Sequence, residues 1–480
     1  MNAAHDEEPG LTLLVHRPGE EPTLLHTGLA SLEHRLPIGP DTTFNVGSVA
    51  KQITAYLILL AARDNLLRLD QRAADLLPRL KISDVTVVDL VTHRSGIRDA
   101  ESLLSLAGFR DLDHYTADDL RTLAYRQDQR AVPEGRFLYS NTNYLLLAEI
   151  LETVHRTTLA DLARHRIFGP LDMDSTHFKT DPRQVIPGAA SAYQAAHHGW
   201  RRTEVPVTLP GPGTLWTTAG DLDRWLTHLH QRWQHLHQLP WQEVVDYEPS
   251  DHEPYLYGPG LYADALPGRT AVFHYGHEQG FSAAAHVEAS GLRVLALSNN
   301  AGLSADRVTA AILRDLYQPT LALKDALVRA TALERTPSTA TRDQPTPDDL
   351  GQHTELGTFA CDQAPGSLRL TRRADALHLW RRGTSDQLAH SGPGLYAGNG
   401  YTLTVRSSTD RIDRFTLDLE RAPRLAYVRQ QPPPQEPSGM PIPRPVEAPT
   451  ELETRHAQPP GDSRDRGVHP RRSAYPRPNR

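Results

Sequence analysis

Asn45-Val46-Gly47-Ser48-Val49-Ala50-Lys51-Gln52-Ile53-Thr54-Ala55-Tyr56-Leu57-Ile58-Leu59-Leu60-Ala61-Ala62-Arg63 is the stretch on which the reading of this chain turns. It is apolar nearly all round, which predicts a buried helix over residues 48–63. Residues three apart on a helix share a face, so Ser48 and Lys51 point the same way. The first turn also carries free backbone N–H groups and the positive end of the helix dipole. A serine there can have its developing alkoxide stabilised by position, and an uncharged lysine one turn on can take its proton. Nucleophilic catalysis needs that pairing of a weak nucleophile with a base.

Composition sharpens the point. Of 51 basic residues only Lys51, Lys81, Lys179 and Lys324 are lysine; the rest are arginine. A lysine within an apolar segment therefore needs a reason, and the chemical one is that lysine can lose its proton whereas arginine in practice cannot. With so few lysines, Ser-x-x-Lys is expected by chance roughly 0.2 times in this chain, so the match outweighs a lone motif. The bland alternative is a lysine snorkelling out of a helix end.

Working outward, residues 11–16 and 23–26 read as two strands joined by the turn at Pro18-Gly19. Residues 66–170 read as mostly helical, with breaks at Pro78, Gly96, Pro133-Glu134-Gly135 and Gly169-Pro170. Residues 221–239 carry Leu222, Trp225, Leu226, Leu229, Trp233 and Leu236 at helical spacing. Strand patterns return over 255–262, 270–275, 283–287 and 292–297, and 303–332 is helical again. The order of strands, helical insertion, strands and helix predicts an α/β fold, an antiparallel sheet flanked by helices with a helical lobe, over residues 1–332. Residues 333–349 read as a Thr/Pro/Asp-rich linker. Over 350–430 the period becomes two, which predicts a small C-terminal all-β domain. Residues 431–480 hold 13 of the 38 prolines and few aliphatics, and read as a disordered Pro/Arg-rich tail.

The rest of the composition excludes more than it proposes. The net charge of −7 gives no reason to expect a nucleic-acid partner. No apolar run is long enough to span a bilayer, and residues 1–9 are acidic with no apolar segment of a secretory signal. A cytoplasmic protein without a membrane partner is the expectation. Cys361 is the only cysteine, which excludes an intramolecular disulfide and any cysteine-based metal cluster; it reads as a small buried hydrophobe. The histidines His228, His230, His235 and His237 have no pair three or four apart, so they read as a solvated flank rather than metal ligands. His197-His198 lacks a third ligand nearby. No cofactor or metal is implied.

Two further motifs are weak alone. Tyr139-Ser140-Asn141 precedes the apolar run 144–151: a phenol can relay protons and an Asn amide can bind a carbonyl, but an ordinary helix start looks the same. His274-Tyr275-Gly276 closes a predicted strand, and Gly276 allows close approach of another backbone. A strand edge beside a serine offers one N–H of an oxyanion hole, the Ser48 N–H being the other.

Together, Ser48-x-x-Lys51, Tyr139-x-Asn141 and His274-x-Gly276, in that order, resemble the serine hydrolases of the class C β-lactamase and penicillin-binding protein family. The resemblance extends over about residues 11–316 through Leu90-Val91-Thr92-His93-Arg94-Ser95-Gly96-Ile97, Gly213-Thr214-Leu215-Trp216-Thr217-Thr218-Ala219-Gly220-Asp221 and Leu297-Ser298-Asn299-Asn300. It implies that Ser48 is the acylated nucleophile and that Lys51 and Tyr139 share the base role. Asn141 would hold a substrate amide, His274 and Gly276 would form the third motif, and the N–H groups of Ser48 and His277 would make the oxyanion hole. His93 would be structural. The implied reaction is hydrolysis of an ester or amide in a small molecule or short peptide through an acyl-enzyme.

Three departures qualify the family pattern. His-Tyr-Gly stands where β-lactamases place a lysine, which favours the esterase and D-aminopeptidase branches. No class A type glutamate motif for deacylation is evident. The helix that usually precedes the first strand is not predicted. The 350–430 domain resembles the small barrel-like appendages of D-aminopeptidases and would form a rim or a spacer. The competing expectation is a binding or sensor protein that uses the same pocket without turnover.

Overall fold

The structure is a computed structural model that describes residues 7–109, 113–203, 207–236, 238–243, 255–264, 271–317, 322–334, 353–373, 376–382, 384–405 and 411–431. Met1–Gln430 is one compact unit containing both folded parts. Most of the expected linker, and the expected tail after Gln431, lie outside the described residues.

An antiparallel eight-stranded sheet organises the first part, in the order Gln242–Glu243, Tyr255–Gly258, Leu261–Asp264, Ala271–Glu278, Phe281–Glu288, Arg293–Ser298, Leu11–His16, Thr23–Thr27. The first strand pairs with Arg293–Ser298, Leu11 opposite Ser298 and His16 opposite Arg293. One face of this sheet packs on helices Ala305–Tyr317 and Leu323–Glu334 through Leu11, Leu13, Val15, Val294, Val308 and Ile312. The other face meets helix Lys51–Arg63, helix Asn141–His155 and helix Ala219–Gln231 in a large core that includes Ile53, Leu57, Leu147, Trp225, Val272 and Leu295. Period-two alternation puts successive side chains into these two cores, which is why the strands read as nearly continuous apolar runs.

Several predicted boundaries shift. The predicted helix 48–63 is a 3-10 turn, Gly47–Ala50, running into helix Lys51–Arg63. The predicted helix 221–239 breaks at Arg232 into Ala219–Gln231 and Trp233–Leu236. The predicted strand 255–262 is a hairpin folded at Pro259-Gly260. Residues 66–86 are largely turns, not helix, with one 3-10 turn at Ala73–Asp75. Backbone bonds from Ala73 N to Val85 O (2.8 Å) and from Val87 N to Gln71 O (3.0 Å) hold that segment. Leu67, Leu77, Leu80 and Ile82 still reach the core.

The second part is a closed eight-stranded antiparallel barrel running from Thr354–Ala360 to Ala422–Arg429. Phe359, Leu370, Leu379, Leu403, Phe415, Leu417 and Tyr427 fill it. The same apolar cluster continues into Leu103, Leu106, Leu120 and Leu123 of the helical lobe, so the barrel shares a core with that lobe. Arg98 locks the junction: its guanidinium donates to Pro423 O (2.7 Å), Arg424 O (3.2 Å) and Gln363 Oε1 (2.5 Å). The barrel is thus bonded into the lobe rather than tethered beside it.

Candidate active site

Ser48 lies in the 3-10 turn and is half-buried, whereas Lys51 at the first position of the helix is fully buried. Lys51 Nζ donates three hydrogen bonds: to Ser48 Oγ (2.8 Å), Asn141 Oδ1 (2.8 Å) and Pro212 O (3.0 Å). All three donor positions of an ammonium are thus used, and no carboxylate lies within ion-pair distance of the nitrogen among the described residues. Pro212 O is aimed by the loop around it, since Gly211 accepts from Thr54 Oγ1 (2.9 Å) and approaches Tyr144 so closely that only glycine fits.

Asn141 opens helix Asn141–His155. Ser140 precedes it but does not cap it; its hydroxyl is buried with no partner among the described residues. The cap is supplied from afar by Asp99, whose Oδ2 accepts from Asn141 N at 2.7 Å. The Asn141 side chain then bridges: Oδ1 accepts from Lys51 and Nδ2 donates to Glu101 Oε2 (2.7 Å). One Nδ2 hydrogen remains for a substrate carbonyl.

Tyr139 stands beside this pair. The Lys51 nitrogen lies 4.9 Å from its ring centroid, and the phenol hydroxyl makes no hydrogen bond among the described residues. His93 packs on the same ring at 4.3 Å. Its Nδ1 meets Ser140 N (3.2 Å) and Asn143 Nδ2 (3.0 Å), so the imidazole positions the Tyr139–Asn143 turn. Burial, then the neighbouring Lys51 charge, holds His93 well below the usual histidine range, in keeping with a structural part.

The third motif lies on strand Ala271–Glu278, directly against the serine turn. A methyl on Gly276 would sit 2.0 Å from Val46 O and 2.9 Å from Ser48 N, so only glycine permits the contact. A methyl on Gly47 would sit 3.0 Å from His277 N. The serine turn and the third-motif strand therefore touch backbone to backbone beside Ser48 and His277. His274 is 1% exposed, with Nδ1 2.6 Å from Tyr275 O. Burial, then the Lys51 charge, pushes it down to about 3, so the imidazole stays neutral and gives no cation to the site. The His277 side chain points outward and is 62% exposed, 3.3 Å from Asp306.

The structure adds three groups to the site that the sequence did not single out. Glu101 is enclosed and bonded to Asn141 and to the Tyr115 hydroxyl (2.8 Å); burial, then the nearby Asp99, raises its carboxyl. Glu278 is the last residue of the third-motif strand, its Oε2 3.6 Å from where a Gly213 methyl would lie. The residue as a whole is half-buried, but its carboxyl is pushed up to about 8, first by its enclosed setting and then by Glu101, with Lys51 opposing. The barrel contributes Arg421, in the turn between strands Arg414–Leu419 and Ala422–Arg429. Its guanidinium lies 4.7 Å from the Tyr139 ring centroid, and its carbonyl accepts from Asp99 N (2.9 Å). Burial acts to lower it, but acidic neighbours, Asp99 first, outweigh that and raise it.

The histidines set aside in the sequence stay out of the site. His228 is half-buried rather than solvated, with Nε2 2.9 Å from the Tyr56 hydroxyl and the ring stacked on Trp225; burial pushes it down to about 4. His235 is exposed, and His237 lies outside the described residues. His197 and His198 contact each other on the surface. Cys361 is only half-buried, and burial raises its thiol, which disfavours the reactive thiolate.

An antiparallel sheet whose third-motif strand abuts a Ser-x-x-Lys helix start defines a class of active-site-serine proteins. The chain matches the beta-lactamase family over residues 2–318 and belongs to that family. A D-aminopeptidase of Gluconobacter oxydans (strain 621H) is 26% identical over 351 residues, which cover 71% of this chain and 66% of that protein. The chain thus spans just under two thirds of that relative's length. Among solved structures, the octameric penicillin-binding protein homologue from Pyrococcus abyssi aligns with a TM-score of 0.57 at 19% identity, over 88% of this chain and 96% of that one. The D-amino acid amidase from Ochrobactrum anthropi SV3 aligns with a TM-score of 0.54 at 22% identity, over 68% and 95%. Both share the fold. No helix among the described residues is long and apolar enough to cross a membrane.

Proposed function

We propose that the protein is a serine hydrolase that cleaves amides or short peptides bearing a free α-amino group, through an acyl-enzyme on Ser48. The observation that carries this reading is the 2.8 Å contact between Lys51 Nζ and Ser48 Oγ, with no carboxylate held against the amine. In the reactive form Lys51 is uncharged and accepts the Ser48 proton. Ser48 Oγ bonds to the substrate carbonyl carbon, and the oxyanion lies between the N–H groups of Ser48 and His277. The carbon–nitrogen bond then breaks, and the leaving amine takes the proton back from Lys51, with Tyr139 beside the path. Water, deprotonated by the same amine, clears the ester and restores the serine.

The acid groups support the choice of an amine-bearing substrate. Glu101, bonded to the Asn141 amide, and Glu278, beside Gly213 and raised further by Glu101, are both pushed toward neutrality. An arriving ammonium relieves that cost and is attracted to both. A β-lactam carries a carboxylate instead, and the neutral His274 offers it no fixed charge. The D-aminopeptidase relative and the D-amino acid amidase fold neighbour favour D-configured acyl groups. Turnover of D-aminoacyl p-nitroanilides by the full chain, lost in Ser48→Ala, is the expected result. Faster turnover of nitrocefin than of any amine-bearing substrate rejects the substrate class. Stoichiometric labelling of Ser48 without turnover of any of these substrates favours a sensor instead.

A further inference from the structure

Lys179 is one of the four lysines of the chain, and the chemistry above leaves it unused. It lines a cavity of about 790 Å³ between residues 179–183, strand Trp200–Thr203, and the pair Trp216 and Phe281. The acid on the wall, Asp181, is engaged by Arg183, which binds its two oxygens at 3.0 and 2.8 Å. Lys179 and Arg202 form no ion pair among the described residues, and His114 stands at the same wall. Trp216 and Phe281 meet edge-on at 5.3 Å and supply an apolar side. The cavity therefore combines an apolar wall with three cations, Lys179, Arg183 and Arg202, against one acid, Asp181, the make-up of a site for an organic anion.

One backbone stretch links the cavity wall to the serine turn. In four consecutive residues, Pro212 O receives Lys51 Nζ, Gly213 faces Glu278, Thr214 O receives Lys179 N (2.9 Å), and Leu215 O receives Val46 N (2.9 Å), two residues before Ser48. Thr214 holds a left-handed backbone (φ 58°), and its buried hydroxyl has no partner among the described residues. A non-glycine residue stores strain in that conformation, and such strain clusters at ligand sites. Four residues put the acidic end and the basic end roughly 7–10 Å apart along the wall, the span of a di- or tripeptide. The remaining cation nearby, Arg421, is turned to Asp99 and the Tyr139 ring.

We propose that this cavity is the leaving-group subsite and that Lys179 and Arg202 hold a carboxylate there, so that the preferred substrates are short peptides with both termini free. The ammonium sits at Glu101 and Glu278, the scissile carbonyl at Ser48, and the C-terminal carboxylate in the cavity. The inference rests on the acyl-transfer reading of Ser48 and adds the leaving-group side to it.

The test compares D-phenylalanyl-glycine with D-phenylalanyl-glycinamide, which differ only in the terminal charge. The full chain is expected to favour the free acid in kcat/KM by roughly tenfold, and the preference is expected to shrink as salt is added. Lys179→Met and Arg202→Met each lower the ratio toward one, chiefly through KM, and Lys179→Arg keeps it. Equal turnover of the two substrates by the unaltered chain overturns the subsite. A preference that survives in both methionine variants and is lost in Arg421→Ala also overturns it, and moves the carboxylate to the barrel turn. Failure to cleave either compound strikes the parent reading of Ser48 instead, so the two failures are distinguishable.

Discussion

Two regions meet at Tyr139 from opposite ends of the chain, the serine turn Gly47–Ala50 and the barrel turn at Arg421, and they are built on different principles. The serine turn is local: Ser48 and Lys51 are three residues apart, and one helix start aligns them. The barrel turn is wholly non-local. It reaches the site because Arg98 grips Pro423 and Arg424 from the lobe and because Asp99 N–H caps the Arg421 carbonyl. Chemistry that needs two groups in fixed register sits on one helix, whereas the cation over the Tyr139 ring is imported from another domain.

That contrast makes Arg421 the place to break it. Arg421→Ala removes the cation over Tyr139 while leaving the backbone bond to Asp99, so kcat/KM toward D-aminoacyl amides is expected to fall roughly tenfold with little change in Tm. Arg98→Ala is the complement. It deletes three bonds across the junction and is expected to lower Tm by about 4 °C or more before it touches activity. Steady-state kinetics and thermal melts on both variants check this. Equal losses of stability and activity in the two would reduce the barrel turn to mere packing.

A smaller effect follows from Glu278. Its carboxyl is raised to about 8 in the fold, against an ordinary value of 4.5. The folded state therefore binds more protons than the unfolded chain between those values, and the stability this group contributes is present below 4.5 and lost as pH rises through about 8. Glu278→Gln is expected to raise Tm at pH 9 by about 2 °C and to change it less at pH 5. Melting curves at the two pH values decide it; a larger gain at pH 5 contradicts the assigned environment.

The legibility of the site in the sequence follows the same division. Ser48, Lys51, Tyr139, Asn141, His274, Gly276 and His277 lie in motifs of three or four residues; Lys51 contacts Ser48, Asn141 and the Tyr139 ring, and the third-motif strand packs on the serine turn at Gly276. The main-sheet strands were legible because their alternating and continuous apolar runs have a period of their own. Residues 66–86 misread as helix because Leu67, Leu77, Leu80 and Ile82 repeat near helical spacing, yet loop backbone bonds deliver them to the core just as well. Asp99, Glu101, Glu278 and Arg421 were invisible for a different reason. Each is an ordinary charged residue whose meaning is made only by the group it faces, and a chain with 58 acidic residues gives no local sign of which ones are enclosed. The helix start at Asn141 shows this well: the Ser140 hydroxyl next to it makes no bond among the described residues, and the distant Asp99 takes the Asn141 N–H instead.

The central claim is that an amine able to shed its proton activates Ser48, and Lys51→Arg tests it most directly. Intact-protein mass spectrometry after mixing with a D-aminoacyl ester would follow acylation in time. The account predicts an adduct on Ser48 within the dead time for the unaltered chain, and a rate at least about 10³-fold slower for Lys51→Arg, because a permanent cation keeps the contact but cannot take the proton. Acylation of the arginine variant at an undiminished rate, or an adduct on any residue other than Ser48, would contradict it.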